Sequence, residues 1–262
     1  MMRLVSVLLF LFLIFVSPLV VLFFYAASSS WTFPDILPAS FDGRSIGYLF
    51  SHGKDISVSM LSSCGYSFAA VLVTLLMTIL PAKVFARTVF PGKMVLEGLF
   101  LAPALIPPMA FAMGAHYFFV LFGVADTFAG VVLILSLYSY PYMLRALTAG
   151  YLTYGENLAL CARNMGASTT RILLTIELPL LIPAIVAGGT IVFLVSFSEY
   201  FLVFLIGGGT VPSYSGYIFP LLNSSDNSVA SLLTLLFVLV PVLLFIIIDR
   251  LVYGIYRKRG LL

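Results

Sequence analysis

Chemistry needs titratable or nucleophilic side chains at workable spacing, and this sequence offers few. Its 262 residues include only 10 Asp and Glu, 2 His and 2 Cys. His52 and His116 have no companion pattern for a metal or for nucleophilic catalysis. Cys64 sits in an apolar run and Cys161 in a polar one, so they make no plausible disulfide pair, and two thiols are too few for a metal framework. No glycine-rich loop ends in Lys-Ser or Lys-Thr, so the chain carries no phosphate cradle. The chain is therefore read as non-catalytic, with no metal and no cofactor of its own.

One acid stands apart. Glu199 lies in Val195-Ser196-Phe197-Ser198-Glu199-Tyr200-Phe201, inside an apolar run. By helix rise it sits about two turns from the outer end of that run. An ionisable group at such depth faces protein or a water-filled cavity. Glu199 with Ser196, Tyr200, Tyr138, Tyr140 and Tyr142 forms a candidate lining for a solute path, and a carboxylate there suits a cationic solute. The alternative is a structural acid bonded to a neighbouring span or partner. The other acids near spans have simpler readings. Glu97 is spaced for a helical i,i+4 pair with Lys93. Glu177 opens a span, where a helix N-terminus favours an anion. Asp249 neighbours Arg250.

The second candidate is the polar island 154–179 between two apolar runs. Its first part, 156–164, holds good helix formers: Leu158, Ala159, Leu160, Ala162 and Arg163. Gly166 supplies a stop or tight bend. Ala167, Ser168 and Thr169 can cap a second helix. Ile172, Leu173, Ile176 and Leu178 carry that helix back to the bilayer, and Pro179 marks the turn into the next span. The expectation is helix, glycine bend, helix. Such an ordered polar hairpin in a membrane chain is either an ordinary interfacial amphipathic loop or the seat of a docking partner.

The elements that hold these residues follow from composition. The chain is 62% hydrophobic and 9% charged, against about 25% charged in soluble domains. With about 20 apolar residues per crossing, six spans fit, near 4–26, 57–80, 94–119, 127–147, 178–206 and 229–253. The first is too long and uniformly apolar for a cleaved signal and is read as a retained span. Pro103, Pro107 and Pro108 kink the third span. Ala184, Ala187, Gly188 and Gly189 suit close helix crossings in the fifth. Arg3, Lys83, Arg87, Lys93, Arg145, Arg163, Arg171, Arg250, Arg257, Lys258 and Arg259 fall on one side; Arg44 and Lys54 fall on the other. The positive side is cytoplasmic, so the island and both termini are expected there.

The island also carries a resemblance. Gly166 is followed by nine residues, then Ile176, Glu177, Leu178 and Pro179, with Ala162-Arg163-Asn164-Met165 ahead of it. This resembles the cytoplasmic coupling loop of binding-protein-dependent ABC importer permeases of the methionine and maltose type, with its Glu-Ala-Ala, glycine and Ile-x-Leu-Pro pattern. Leu160 stands where that pattern has Glu, and Cys161 where it has the first Ala; Glu156, one turn earlier on the same face, partly substitutes. The resemblance implies an all-α, polytopic membrane protein of six transmembrane helices with type I ABC importer permease architecture. It divides into 1–56 (first helix and periplasmic loop), 57–253 (five-helix core with coupling loop 150–179) and 254–262 (basic cytoplasmic tail).

The implied coupling residues are Glu156, Leu160, Cys161, Ala162, Arg163, Gly166, Ala167 and Ser168. The implied partners are two copies of an ABC ATPase that carries ATP and Mg2+, a second permease subunit (a related chain or a second copy), an extracytoplasmic solute-binding protein and the bilayer, with no nucleic acid. The implied location is the bacterial inner membrane. The residues around Glu199, followed by Gly207-Gly208-Gly209-Thr210, are similar to the spermidine/putrescine-like branch, which also holds thiamine, iron and aminophosphonate importers. A secondary transporter or channel is the alternative, and it calls for inverted repeats and paired intramembrane charges. An intramembrane serine protease would need a Ser and a His at one depth.

Overall fold

The computed structural model describes residues 2–29, 31, 35–38, 40–224 and 226–258. The side chains of Arg3, Asp249, Tyr253 and the basic tail Arg257-Lys258-Arg259 lie outside the described residues, and with them the expected Asp249–Arg250 neighbourhood. In chain order the helices are α1 (Met2–Ala27), α2 (Arg44–Ser51), α3 (Gly53–Arg87), α4 (Lys93–Leu101), α5 (Pro108–Leu121) and α6 (Phe128–Tyr154). There follow α7 (Asn157–Asn164), α8 (Thr169–Ile172), α9 (Leu178–Ser198), α10 (Phe201–Gly207), α11 (Tyr214–Leu222) and α12 (Asn227–Lys258). A 3-10 turn, Ala102–Leu105, extends α4, and a π turn, Leu173–Glu177, joins α8 to α9. Among the described residues, five helical stretches are long and apolar enough to cross a membrane, or up to six if a bent pair is one span.

The bent pair is the third span. The sequence predicts a kinked helix there; instead the span breaks, with Lys93–Leu105 and Pro108–Leu121 meeting at 106°. Proline disfavours the helical region for the residue before it. Two consecutive prolines apply this twice, so Ile106 (ψ 131) and Pro107 (ψ 137) are both extended. The fifth span breaks too. Its expected run 178–206 is interrupted at Glu199, whose ψ is 121, and resumes as α10. Two short helices, α2 and α11, occupy stretches read from sequence as loop.

The described residues form two compact units. One comprises 1–60 and 214–262, with α1 packed along α12 and α2 and α11 against it. Ala26 O accepts from Ser45 Oγ at 2.6 Å and from Ser228 Oγ at 3.3 Å, tying the end of α1 to both neighbours. Arg44 reaches Asp226 at 2.9 Å, and Tyr48 and Tyr217 share a hydroxyl hydrogen bond of 3.1 Å.

The other unit, 61–213, is built on α6, whose residues Val131, Ile134, Leu135, Met143 and Leu147 are fully buried. Its closest neighbour is α9, and glycine permits the approach. A Cβ on Gly150 would lie 2.7 Å from Ala184 Cβ, and one on Gly188 would lie 2.9 Å from both Ala146 Cβ and Met143 Sδ. The small residues Ala184 and Gly188 thus sit at the crossing, as their size predicts.

Candidate functional site

The site is the hairpin between α6 and α9. Helix α6 stops at Gly155, whose φ of +64 turns the chain outward. Helix α7 then runs for two turns and ends in a hydrogen-bonded reversal. Gly166 N donates to Arg163 O at 2.9 Å, and Ala167 N donates to Ala162 O at 3.0 Å. This pair of bonds is a Schellman turn, which places its glycine in the left-handed region; Gly166 has φ +85. Ala162 and Ala167 occupy the two positions that face one another across such a turn. Ser168 caps the second arm, accepting from Arg171 N at 3.4 Å. The expected helix, bend and capped helix are all present.

The second arm differs from expectation at its far end. Pro179 marks no turn; the helix is continuous from Thr169 to Ser198. A proline inside a helix clashes with the carbonyl four residues back and lacks an N–H. That carbonyl belongs to Thr175, which lies in the π turn, where the backbone is widened. The widening accommodates the proline without a break.

Residues 156–168 of the hairpin leave three large apolar side chains in the open: Leu158 at 57% exposure, Leu160 at 46% and Met165 at 87%. Cys161 and Arg163 are exposed beside them, while Ala162 and Ala167 are half-buried. Glu156 is at the start of α7 and turns towards Arg87, with Oε1 3.7 Å from Nε.

At the root of the hairpin lies a charge cluster that sequence reasoning missed. Glu177 is 3% exposed. One carboxylate oxygen accepts from Lys83 Nζ at 2.8 Å, the other from an Arg87 Nη at 2.6 Å. The expected helix N-terminus around Glu177 does not exist, because the helix has already begun at Thr169; cations of α3 answer its charge instead. Arg87 also donates to Gly155 O at 2.9 Å and lies 5.1 Å from the centre of the Tyr151 ring. Lys83 and Arg87 are four residues apart and so share a face of α3. That spacing was the one local signal; nothing local names the acid 94 residues away from Lys83. The Lys93–Glu97 pair expected from spacing is not formed among the described residues. Lys93 Nζ donates to Thr88 O at 3.1 Å, and Glu97 lines a cavity of about 220 Å³ with Arg145 and Thr148.

The second candidate set is only partly gathered. Glu199 Oε1 accepts from Phe201 N at 3.2 Å and Leu202 N at 3.4 Å, so its carboxylate serves the start of α10. Tyr138 lies within electrostatic reach of Glu199, and Ser196 is fully buried. Tyr200 packs its ring 5.5 Å from that of Phe204. Tyr140, two residues from Tyr138, falls on another face of α6 and packs 5.5 Å from Phe100.

Two broken apolar helices, a buried central α6 crossing α9, and a polar hairpin between them fit the class of membrane transport permeases. A bacterial ABC transporter that imports the acidic polysaccharide alginate has the same fold, with a TM-score of 0.70 over 95% of both chains at 15% identity. The chain belongs to the family of binding-protein-dependent transport system inner membrane components, whose sequence model matches residues 84–259. It is thus an ABC importer permease.

Among its relatives, the molybdenum transport permease ModB of Escherichia coli K12 is 32% identical over 155 residues, 54% of this chain and 68% of that protein. The molybdate/tungstate permease WtpB of Thermococcus kodakarensis is 30% identical over 140 residues, 53% of this chain and 56% of that protein. The spermidine/putrescine permease PotC of Haemophilus influenzae is 26% identical over 192 residues, 73% of this chain and 74% of that protein.

Proposed function

We propose that this chain forms half of the membrane path of an ATP-driven importer, and that the hairpin 156–168 is the seat of a cytoplasmic ATPase. One observation carries the reading: Leu158, Leu160 and Met165 stand exposed on a hairpin whose geometry is fixed by a Schellman turn and a serine cap. Ordered apolar side chains clustered in water mark a protein contact. The ATPase binds ATP and Mg2+; this chain contributes the docking face. A solute-binding protein delivers the solute from outside, and a second permease subunit completes the path. The island and both termini are cytoplasmic, by the distribution of Lys and Arg.

The solute we propose is a tetrahedral oxyanion of the molybdate and tungstate kind, in line with the relatives ModB and WtpB. A polyamine, expected from the residues around Glu199, loses its chemical argument, since that carboxylate is engaged at the start of α10.

Inverted vesicles carrying this chain, its ATPase and its binding protein test the reading. ATP-dependent molybdate transport that stops when the ATPase is omitted supports it. Transport that continues without the ATPase overturns the coupling. Binding of spermidine, and not molybdate, by the binding protein overturns the oxyanion.

A further inference from the structure

The hairpin has two roots, Gly155 and Glu177, and one side chain holds both. Arg87 donates to Gly155 O and to Glu177 Oε1, while Lys83 takes the other Glu177 oxygen. Lys83 and Arg87 supply two positive charges; Glu177 and Glu156 supply two negative ones. Buried ion pairs add little net stability, because desolvation offsets their attraction. Their geometry is more informative. Both oxygens of one carboxylate are engaged from consecutive turns of α3, so Glu177 cannot swing without releasing a buried charge. The π turn also ends at Glu177, and such widenings recur at functional sites.

We propose that Glu177, Arg87 and Lys83 are positioning residues that convert displacement of the hairpin into movement of α3. Beyond α3, the hairpin is continuous with α6 and α9 through the backbone. Its link to α3 is made by side chains: the Arg87 and Lys83 bonds to Glu177, and the Arg87 bond to Gly155. Helix α3 also packs on α6 and α9 through the apolar core around Phe85, Leu147 and Leu181; the cluster adds to that packing a charged tie at the root of the hairpin itself. That role rests on the coupling reading above.

The test uses the complete complex with its binding protein in proteoliposomes, with molybdate as the transported probe. Glu177→Gln keeps the size and one acceptor oxygen but removes the charge; Arg87→Gln and the double variant complete a cycle. The expected result is retained ATPase co-purification and basal hydrolysis within about twofold of wild type. Stimulation by the binding protein falls several-fold, and ATP consumed per molybdate transported rises about tenfold, that is about 1.4 kcal/mol of coupling. The double variant should be no worse than the poorer single one.

Wild-type stimulation and stoichiometry in Glu177→Gln would overturn the proposal. So would loss of ATPase co-purification in that variant, which would make the cluster a structural prop. A wild-type complex whose binding protein binds molybdate and yet shows no ATP-dependent transport refutes the coupling reading itself and is recognised before any variant is compared.

Discussion

Gly166 provides the sharpest test of how the hairpin works. Its φ of +85 lies in the left-handed region, and a Cβ placed on it would meet nothing within 4 Å. Gly166→Ala therefore introduces no clash in the chain itself, only backbone cost. For an L-residue that cost is about 1–2 kcal/mol. If the Schellman turn is the only folded arrangement, the cost is taken from stability and read as a lower Tm in detergent. If the hairpin can loosen, ATPase affinity falls instead, by up to about 5–30-fold.

Gly166→Asn separates conformation from bulk. Asn is larger than Ala but tolerates the left-handed region better. The expected order of ATPase affinity is Gly, then Asn, then Ala, by titration of the purified ATPase against the permease in nanodiscs. Asn weaker than Ala would show that bulk at the docking face decides. Ala equal to Gly in both affinity and Tm would refute the backbone argument outright.

Three further outcomes follow from the packing. Gly150→Leu drives a side chain into Ala184 and Leu181; overpacking of this kind costs about 1–3 kcal/mol, seen as a lower Tm in detergent. Glu199→Ala removes the acceptor at the start of α10 and should cost about 1 kcal/mol, whereas Glu199→Gln keeps an acceptor and should hold both Tm and most molybdate uptake; a Gln variant as impaired as Ala would return the charge itself to the solute path. Arg44→Gln breaks an ion pair whose members are both more than a third exposed, so the loss should stay below about 1 kcal/mol and shrink in high salt, by melts at two ionic strengths.

The hairpin was legible in the sequence because its determinants are local. A glycine two residues beyond Asn164 and a serine two residues beyond that glycine specify the turn and the cap by backbone chemistry alone. The breaks were half legible. Pro103, Pro107 and Pro108 announce a distortion, but a kink and a 106° bend use the same residues; the size of the bend comes from two adjacent prolines both demanding an extended predecessor. Glu199 read as a deep charge in a continuous helix, because Ser-Glu-Tyr contains no helix breaker. It ends the helix by bonding to the backbone that follows. Helices α2 and α11 were hidden in stretches that read as loops, the first with Pro34, Pro38 and Gly43, the second with Gly207, Gly208, Gly209 and Pro212. The ion cluster was not legible, since its partners are brought together only by the fold.

The uninterrupted run from Thr169 to Ser198 has a mechanical consequence. Its 30 residues amount to a rod of about 45 Å at helical rise. The π turn Leu173–Glu177 widens this run without ending it. A tilt of about 5° imposed at the inner end therefore displaces the outer end by about 4 Å over that length. That shift arrives beside Glu199 and Tyr200, where the rod stops and α10 begins. The joint of the machine is thus far from its handle.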